Sequence, residues 1–378
     1  MKDVIVVDYV RSAFTPSRRG ALAGVRPDEM AAKVIRALIA RTGIPVTDIE
    51  DVIVGCSTPE AEQGYNVARN IGFLAGIPVS AAATTVNRFC GSSMQSIHMA
   101  AGSIQMGAGH VFVCAGVESM SRVPAAGYNF MPHPGLADSF PAAYVAMGQT
   151  AENLARRNRI SRDMQDEFAV HSHAKAEAAA HKAFFDKEIV PICVDDLDVT
   201  RDGCIRPGTT REALANLKPA FDKDGTVTAG TSSPLTDGAA AVLVCSQEYV
   251  STHRLGGIAR IKSIAVAGCP PEIMGIGPVP ATRKALDRAG LELPDIDIIE
   301  LNEAFAAQAI AVIQDAGMDE SRINLDGGAI ALGHPLGATG ARITGKLAFL
   351  LQRQGKEFGL ATQCIGGGQG IATILQAL

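Results

Sequence analysis

Two stretches of this chain repeat two others at nearly one distance. Ile39-Ala40-Arg41-Thr42-Gly43-Ile44, leading to Asp48-Ile49-Glu50-Asp51-Val52, lies over Leu286-Asp287-Arg288-Ala289-Gly290-Leu291, leading to Asp295-Ile296-Asp297-Ile298-Ile299, an offset of 247 residues (286 − 39). Each copy reads as a helix stopped by glycine, a short connection and a strand. Ser93 to Phe112 lies in the same way over Thr339 to Phe358, offset 246 (339 − 93), with Gly109 and Gly355 as the stops. Such a chain is constrained to two similar halves, residues 1–120 and 258–378. Each alternates strands with helices, the pattern of an α/β fold with a mostly parallel sheet covered on both faces. Residues 121–250 do not repeat. They hold a Pro/Gly/His-rich stretch, Val123 to Pro141, then a helical run from Gln149 to about Lys187 in which Ser161 starts a second helix. They read as an excursion inserted in the N-terminal half and placed to cover something.

Composition narrows the function. The 378 residues suffice for two ordinary cores, with 47% hydrophobic and 19% charged residues. A net charge of −5 without a long basic run gives no support for nucleic-acid binding, and the absence of Trp disfavours stacking platforms. Eight cysteines at 56, 90, 114, 193, 204, 245, 269 and 364 include no C-x-x-C pair, so no metal site is expected and the thiols read as reduced. Val4-Ile5-Val6-Val7 reads as a short buried strand ended by Asp8, and no apolar run approaches a membrane span. A soluble, cytoplasmic protein is expected.

Three glycine-rich blocks carry reactive side chains. Cys90, in Asn87-Arg88-Phe89-Cys90-Gly91-Ser92-Ser93, stands where a strand turns into a helix with Met94, Ile97, Ala101 and Ile104 on one face. A thiol at a helix start meets unpaired N–H groups that favour thiolate, and the small first turn admits a substrate carbonyl. His334, among Gly327, Gly328, Gly333, Gly337 and Gly340, is the candidate to take the thiol proton, with glycines that let backbone approach a ligand. His171, His173 and His181 read as solvent-facing. Cys364 precedes Ile365-Gly366-Gly367-Gly368-Gln369-Gly370 and reads as the tip of a β-hairpin. A second thiol suggests two nucleophile or proton events. Asn302 ends the strand Ile298–Leu301, where parallel sheets bind ligands, and reads equally as a water- or oxyanion-orienting group and as a helix N-cap.

These blocks, with Asn302-Glu303-Ala304-Phe305-Ala306-Ala307-Gln308 and Thr228-Ala229-Gly230-Thr231-Ser232-Ser233, resemble the thiolase family in order and spacing over essentially the whole chain. Gly91-Ser92-Ser93-Met94-Gln95 and Met147-Gly148-Gln149-Thr150-Ala151-Glu152 look most like the bacterial fatty-oxidation 3-ketoacyl-CoA thiolases. The resemblance implies a five-layer αβαβα sandwich of two duplicated halves, with the excursion helping to bind coenzyme A. It implies cleavage of a 3-ketoacyl-CoA by CoA, which is a substrate, without a prosthetic group. Cys90 would be the acylated nucleophile, His334 its base and an oxyanion donor, and Cys364 the acid/base. Asn302 would fix a water at the enolate oxyanion, and the N–H groups of Cys90 and Gly366 would hold the tetrahedral one.

By the same resemblance Arg206, Ser233, Met147, Met274 and Phe305 would contact coenzyme A or line its tunnel. The sequence departs at Ala213, where a cofactor-contacting serine is common, and at Ala146, where biosynthetic relatives commonly carry histidine. Side chains at Gly366 or Gly367 are expected to crowd the thioester. A homodimer or dimer of dimers is implied, and a hydratase–dehydrogenase subunit is a possible partner. Three alternatives compete. A decarboxylating ketoacyl synthase would carry histidine where Cys364 stands, an acetoacetyl-CoA thiolase would share every catalytic residue, and a non-catalytic acyl-CoA carrier would form no acyl-enzyme.

Overall fold

The computed structural model describes residues 2–378. Chain order runs β1 (Val4–Ser12), α1 (Pro27–Thr42), β2 (Asp51–Gly55), α2 (Val67–Leu74), β3 (Ala82–Val86), α3 (Ser92–Met106) and β4 (Val111–Ser119). Then come α4 (Met147–Arg157), α5 (Arg162–His181) and β5 (Thr236–Ser246). The second half is β6 (Ala259–Gly268), α6 (Pro278–Ala289), β7 (Ile298–Leu301), α7 (Ala306–Ala316), α8 (Leu336–Gln354), β8 (Phe358–Ile365) and β9 (Gln369–Ala377).

The duplication is visible in the sheet order. The first half pairs as β3-β2-β4-β5-β1 and the second as β7-β8-β9-β6, with a parallel bridge from Ile299 to Ile323 where β3 would have its counterpart. The pairing senses agree as well: β2 with β4 and β7 with β8 are parallel, and the two strands that follow in each half are antiparallel. The sheets touch along one edge through Ile5–Arg260 and Val6–Ala259. The segment after β4 leaves the first sheet and returns to it as β5, between β4 and β1. Strand β1 runs past Asp8 because Arg41 on α1 covers that carboxylate with a 2.5 Å ion pair, with a bulge between Val6 and Asp8.

Three apolar cores separate five layers. Met30, Ile35 and Leu38 of α1 and Ile71 of α2 pack on one face of the first sheet, with Val52, Val113 and Leu243. Its other face (Ile53, Cys114, Val242) meets Met94 and Ile97 of α3 and Ile343 and Leu347 of α8, which meet Ala361, Ile371 and Leu375 of the second sheet. The far face of that sheet, with Ile299, Leu360 and Ile374, is covered by α6 and α7. Strand alternation sends consecutive residues to opposite cores, as Val242 and Leu243 do.

The helix stop of the second repeat is Gly107, at φ 74°, rather than Gly109; its counterpart Gly355 stands at φ 60°. The glycines around the two central helices have a different use from the one the sequence suggested. A Cβ at Gly340 would lie 2.3 Å from the Met94 amide nitrogen, and one at Gly116 would lie 2.1 Å from the Gly337 carbonyl oxygen. They let α3, α8 and the first sheet approach each other, not a ligand. Gly340→Ala must therefore push backbone apart and should cost about 1–3 kcal/mol of stability. Gly72→Ala on α2, where the new Cβ would sit 3.9 Å from Val52, should gain up to about 1 kcal/mol. Urea denaturation of both variants checks the contrast.

Candidate active site

Cys90 lies in the turn between β3 and α3, and the turn is forced. Phe89 is held at φ 43°, a conformation costly for a bulky residue by about 1–3 kcal/mol. Gly91 N donates to the Arg88 carbonyl at 2.9 Å, and Arg88 N donates to Ser92 Oγ at 2.9 Å. The Cys90 carbonyl accepts from Gln363 Nε2 in the second half. The backbone amides of Gly366 and of Cys90 itself bear on the Cys90 sulfur and favour its thiolate. The expected thiolate is not the resting form. Burial pushes the thiol up to about 11 against those two amides, and Glu118 adds a smaller push in the same direction. Desolvation outweighs the helix start, so Cys90 rests as a thiol and needs a base.

His334, 4% exposed, precedes Pro335 at the start of α8. Its backbone N–H donates to Thr236 Oγ1 at 3.0 Å, and Nδ1 lies 2.6 Å from Thr339 Oγ1. That hydroxyl donates onward to the Pro335 carbonyl at 3.0 Å, so it accepts from Nδ1–H. Nε2 is then unprotonated and accepts from Asn302 Nδ2 at 3.4 Å. Burial, then the positive field of Arg342, pushes the imidazole down to about 3, so it is neutral in the resting protein.

Asn302 caps no helix, because α7 begins at Ala306 with Phe305 ahead of it. Its backbone N–H continues the ladder to Thr362 O, and its side-chain Oδ1 is buried without a partner. Cys364 pairs with Gly370 across the β8–β9 hairpin, as the sequence indicated. Burial drives its thiol well above the ordinary range, followed by the neighbouring Cys90 and Cys269.

The remaining candidates divide. Met147, Met274 and Phe305 join Cys364 in one apolar cluster, closed outside by Phe221 edge-on to Phe305 at 5.8 Å. Ser233 donates from N and Oγ to the Ala304 carbonyl, both at 3.0 Å, which ties it to that wall. Arg206 stands apart on the surface, its backbone N–H donating to His173 Nδ1 at 3.2 Å. His173 is buried, contrary to the solvent-facing reading of that helix, while His171 and His181 are exposed. At Gly366 the protein itself makes only ordinary contacts with an added side chain. A Cβ there would meet Met147 Sδ at 3.6 Å, an ordinary contact, whereas Gly367 needs its φ of 76°. Sequence reasoning missed Thr236, Thr339, Gln363 and Glu118; the signal for Glu118 was a lone carboxylate closing the apolar run Val111–Val117.

A cavity of about 1010 Å³ lies at the far end of α8 and is lined by none of these residues. Among the described residues no His/Cys/Asp/Glu cluster suits a metal ion, and no helix is long and apolar enough to cross a membrane.

Two duplicated sheets with a cysteine and a histidine at the starts of the central helices, and a second cysteine on a glycine hairpin, define a class that comparison identifies directly. The chain belongs to the thiolase family: residues 4–248 match the thiolase N-terminal domain and 255–377 the thiolase C-terminal domain. It is 50% identical over 387 residues, the whole of both chains, to a 3-ketoacyl-CoA thiolase of Serratia proteamaculans. Human mitochondrial 3-ketoacyl-CoA thiolase in complex with CoA superposes with a TM-score of 0.93 at 39% identity, covering 100% of this chain and 98% of that one. The Bacillus anthracis acetyl-CoA acetyltransferase superposes with a TM-score of 0.92 at 39% identity, covering 100% and 99%.

Two histidines predict the acid side of the stability curve. His334 and His98 are both buried and held near 3, against 6.5 in the unfolded chain, chiefly by burial. The unfolded chain therefore binds protons first as pH falls. Their contribution is complete above about pH 6.5 and declines toward pH 3, by about 1.4 kcal/mol per pH unit for each histidine. Urea midpoints between pH 7 and 5 should fall accordingly, and His98→Gln should remove one proton from that slope.

Proposed function

We propose that this chain is a 3-ketoacyl-CoA thiolase that cleaves its substrate with CoA to acetyl-CoA and a shortened acyl-CoA. One observation carries the reading: a buried thiol at the start of one central helix neighbours a second buried thiol, and the helix packed against it starts at a neutral imidazole whose unprotonated nitrogen is set by a hydrogen-bond relay. Cys90 gives its proton to His334 Nε2 and attacks the ketone, and the amides of Cys90 and Gly366 receive the tetrahedral oxyanion. The carbon–carbon bond breaks to an acetyl-CoA enolate, whose oxygen faces His334 and a water on Asn302 Oδ1. Cys364 protonates the enolate carbon, and its high thiol pKa keeps that proton in place until a base as strong as an enolate appears.

The Cys364 thiolate then takes the proton of incoming CoA. CoA sulfur attacks the acyl group on Cys90, and His334 returns its proton to the leaving thiol. Loss of one oxyanion donor costs about 10²–10³ in rate. Met147, Met274 and Phe305 would form the apolar wall of the tunnel, Ser233 would hold that wall beside the pantetheine, and Arg206 would lie over the adenine from outside. The excursion of residues 121–250 supplies α4 and α5, which carry Met147 and pack over this wall.

A second copy completes the proposal. The free edge strand β3 is flanked by exposed Tyr65, Phe73, Leu74, Val79, Phe89 and Met106, an apolar margin that a twin edge would cover. Sedimentation should give a multiple of the 39.4 kDa chain mass. The acetoacetyl-CoA reading differs only in tunnel depth. Comparison of kcat/KM for CoA-dependent cleavage of 3-ketohexadecanoyl-CoA and acetoacetyl-CoA separates the two, and the long substrate should react at least as well. Cys364→Ala should retain acylation of Cys90 by an activated thioester but lose thiolysis of 3-ketoacyl-CoA; retained thiolysis would contradict the acid/base role of Cys364.

A further inference from the structure

We propose that Glu118 is a positioning residue, a carboxylate of the first half that caps the helix behind His334 in the second and so fixes base against nucleophile. The proposal rests on His334 being the base and Cys90 the nucleophile of thiolysis.

Glu118 closes β4 on the face that Phe112, Cys114 and Gly116 present to the central helices, and it is 1% exposed. Its Oε2 accepts from Ser57 N at 2.8 Å and from Gly337 N at 2.9 Å. Its Oε1 accepts from Thr58 N at 3.2 Å and Gln63 Nε2 at 2.8 Å. The Cys56 thiol, 3.9 Å from Oε1, is a fifth and weaker partner. Burial pushes the carboxyl up, and those four N–H groups hold it down.

The Gly337 amide is the informative partner. It belongs to the first turn of α8, whose cap residue Pro335 offers no side-chain hydrogen bond. A helix start without a local cap leaves N–H groups and a positive dipole end unsatisfied. The missing acceptor comes instead from the other half of the molecule, to an amide three residues beyond His334. The approach is close on both sides, since a Cβ at Gly337 would meet the Val117 carbonyl oxygen at 2.5 Å. Next to it, Ser93 Oγ on α3 accepts from Ala341 N at 2.8 Å, so the histidine helix is tied to the first half by two neighbouring bonds, one to β4 and one to the cysteine helix. The same carboxylate is the one charged group that raises the Cys90 thiol.

Glu118→Gln keeps the shape, replaces one acceptor by an NH₂ that faces N–H donors, and removes the charge. Two readouts apply. A displacement of His334 by about 1 Å is enough to lower kcat roughly 100-fold, with KM for CoA within about 3-fold because no residue of the apolar wall is touched. Alkylation of Cys90 by iodoacetamide against pH reads the charge itself. Among titratable groups, Cys364 on β8 neighbours that thiol, the Cys56 thiol lies 3.9 Å from Glu118 Oε1, and the charge that bears on Cys90 is that of Glu118 on β4. Removing the last should move the alkylation profile to lower pH.

Glu118→Asp keeps the charge but shortens the reach, so it should leave the profile in place while lowering kcat. This variant decides the matter if the Gln protein does not fold. Parent-like kcat in either folded variant overturns the proposal. So does a loss of activity in Glu118→Gln with an unmoved alkylation profile, which would leave Glu118 a role in folding alone. A parent enzyme without thiolysis would instead overturn the functional reading itself.

Discussion

Everything in this molecule depends on how closely α3 and α8 can approach in its central layer. The Cys90 turn precedes one helix and His334 precedes the other, so their contact sets the distance between the proposed nucleophile and the proposed base. That contact is backbone against backbone, with Gly340 over the Met94 amide, Gly116 under the Gly337 carbonyl and Gly55 against the Ser93 amide. Ordinary side chains at these positions would hold the helices apart. Dispersion and apolar burial on the outer faces of α3 and α8 then hold the layer together, through Met94, Ile97, Ile343 and Leu347.

A dry site follows from this packing and governs the chemistry. Water exclusion holds both thiols protonated and the imidazole neutral, so no charge is stored at rest. In the proposed mechanism charge appears only when substrate brings an electrophile, and the amides of Cys90 and Gly366 are the donors proposed to meet it. Preorganised donors in low dielectric are worth more than the same donors in water. Thr339 and Thr236 extend the same logic, since one orients the imidazole and the other holds the His334 backbone without adding a charge.

Much of this was legible in the chain. The offset between Gly43 and Gly290, each a left-handed helix stop, exposed the duplication, and the hairpin at Gly366-Gly367-Gly368 was readable from strand patterns on both sides. What escaped was set by tertiary burial. A helix rich in Ala, Lys and Glu gave no sign that His173 faces inward, and a helix-start cysteine gave no measure of how far desolvation would raise it. The dense glycines round His334 looked like room for a ligand, because sequence shows that a side chain is absent but not what fills its place. Asp8 looked like a strand end because its partner Arg41 lies on α1, more than thirty residues away.

The central claim is that Cys90 carries the acyl group between the two halves of the reaction. Its most direct test is mass analysis of the peptide containing Cys90 after brief incubation with acetyl-CoA and acid quenching. One acetyl group per chain, on Cys90 and discharged by added CoA, is the predicted result. An unmodified Cys90, or acetyl on Cys364 in its place, would contradict the account.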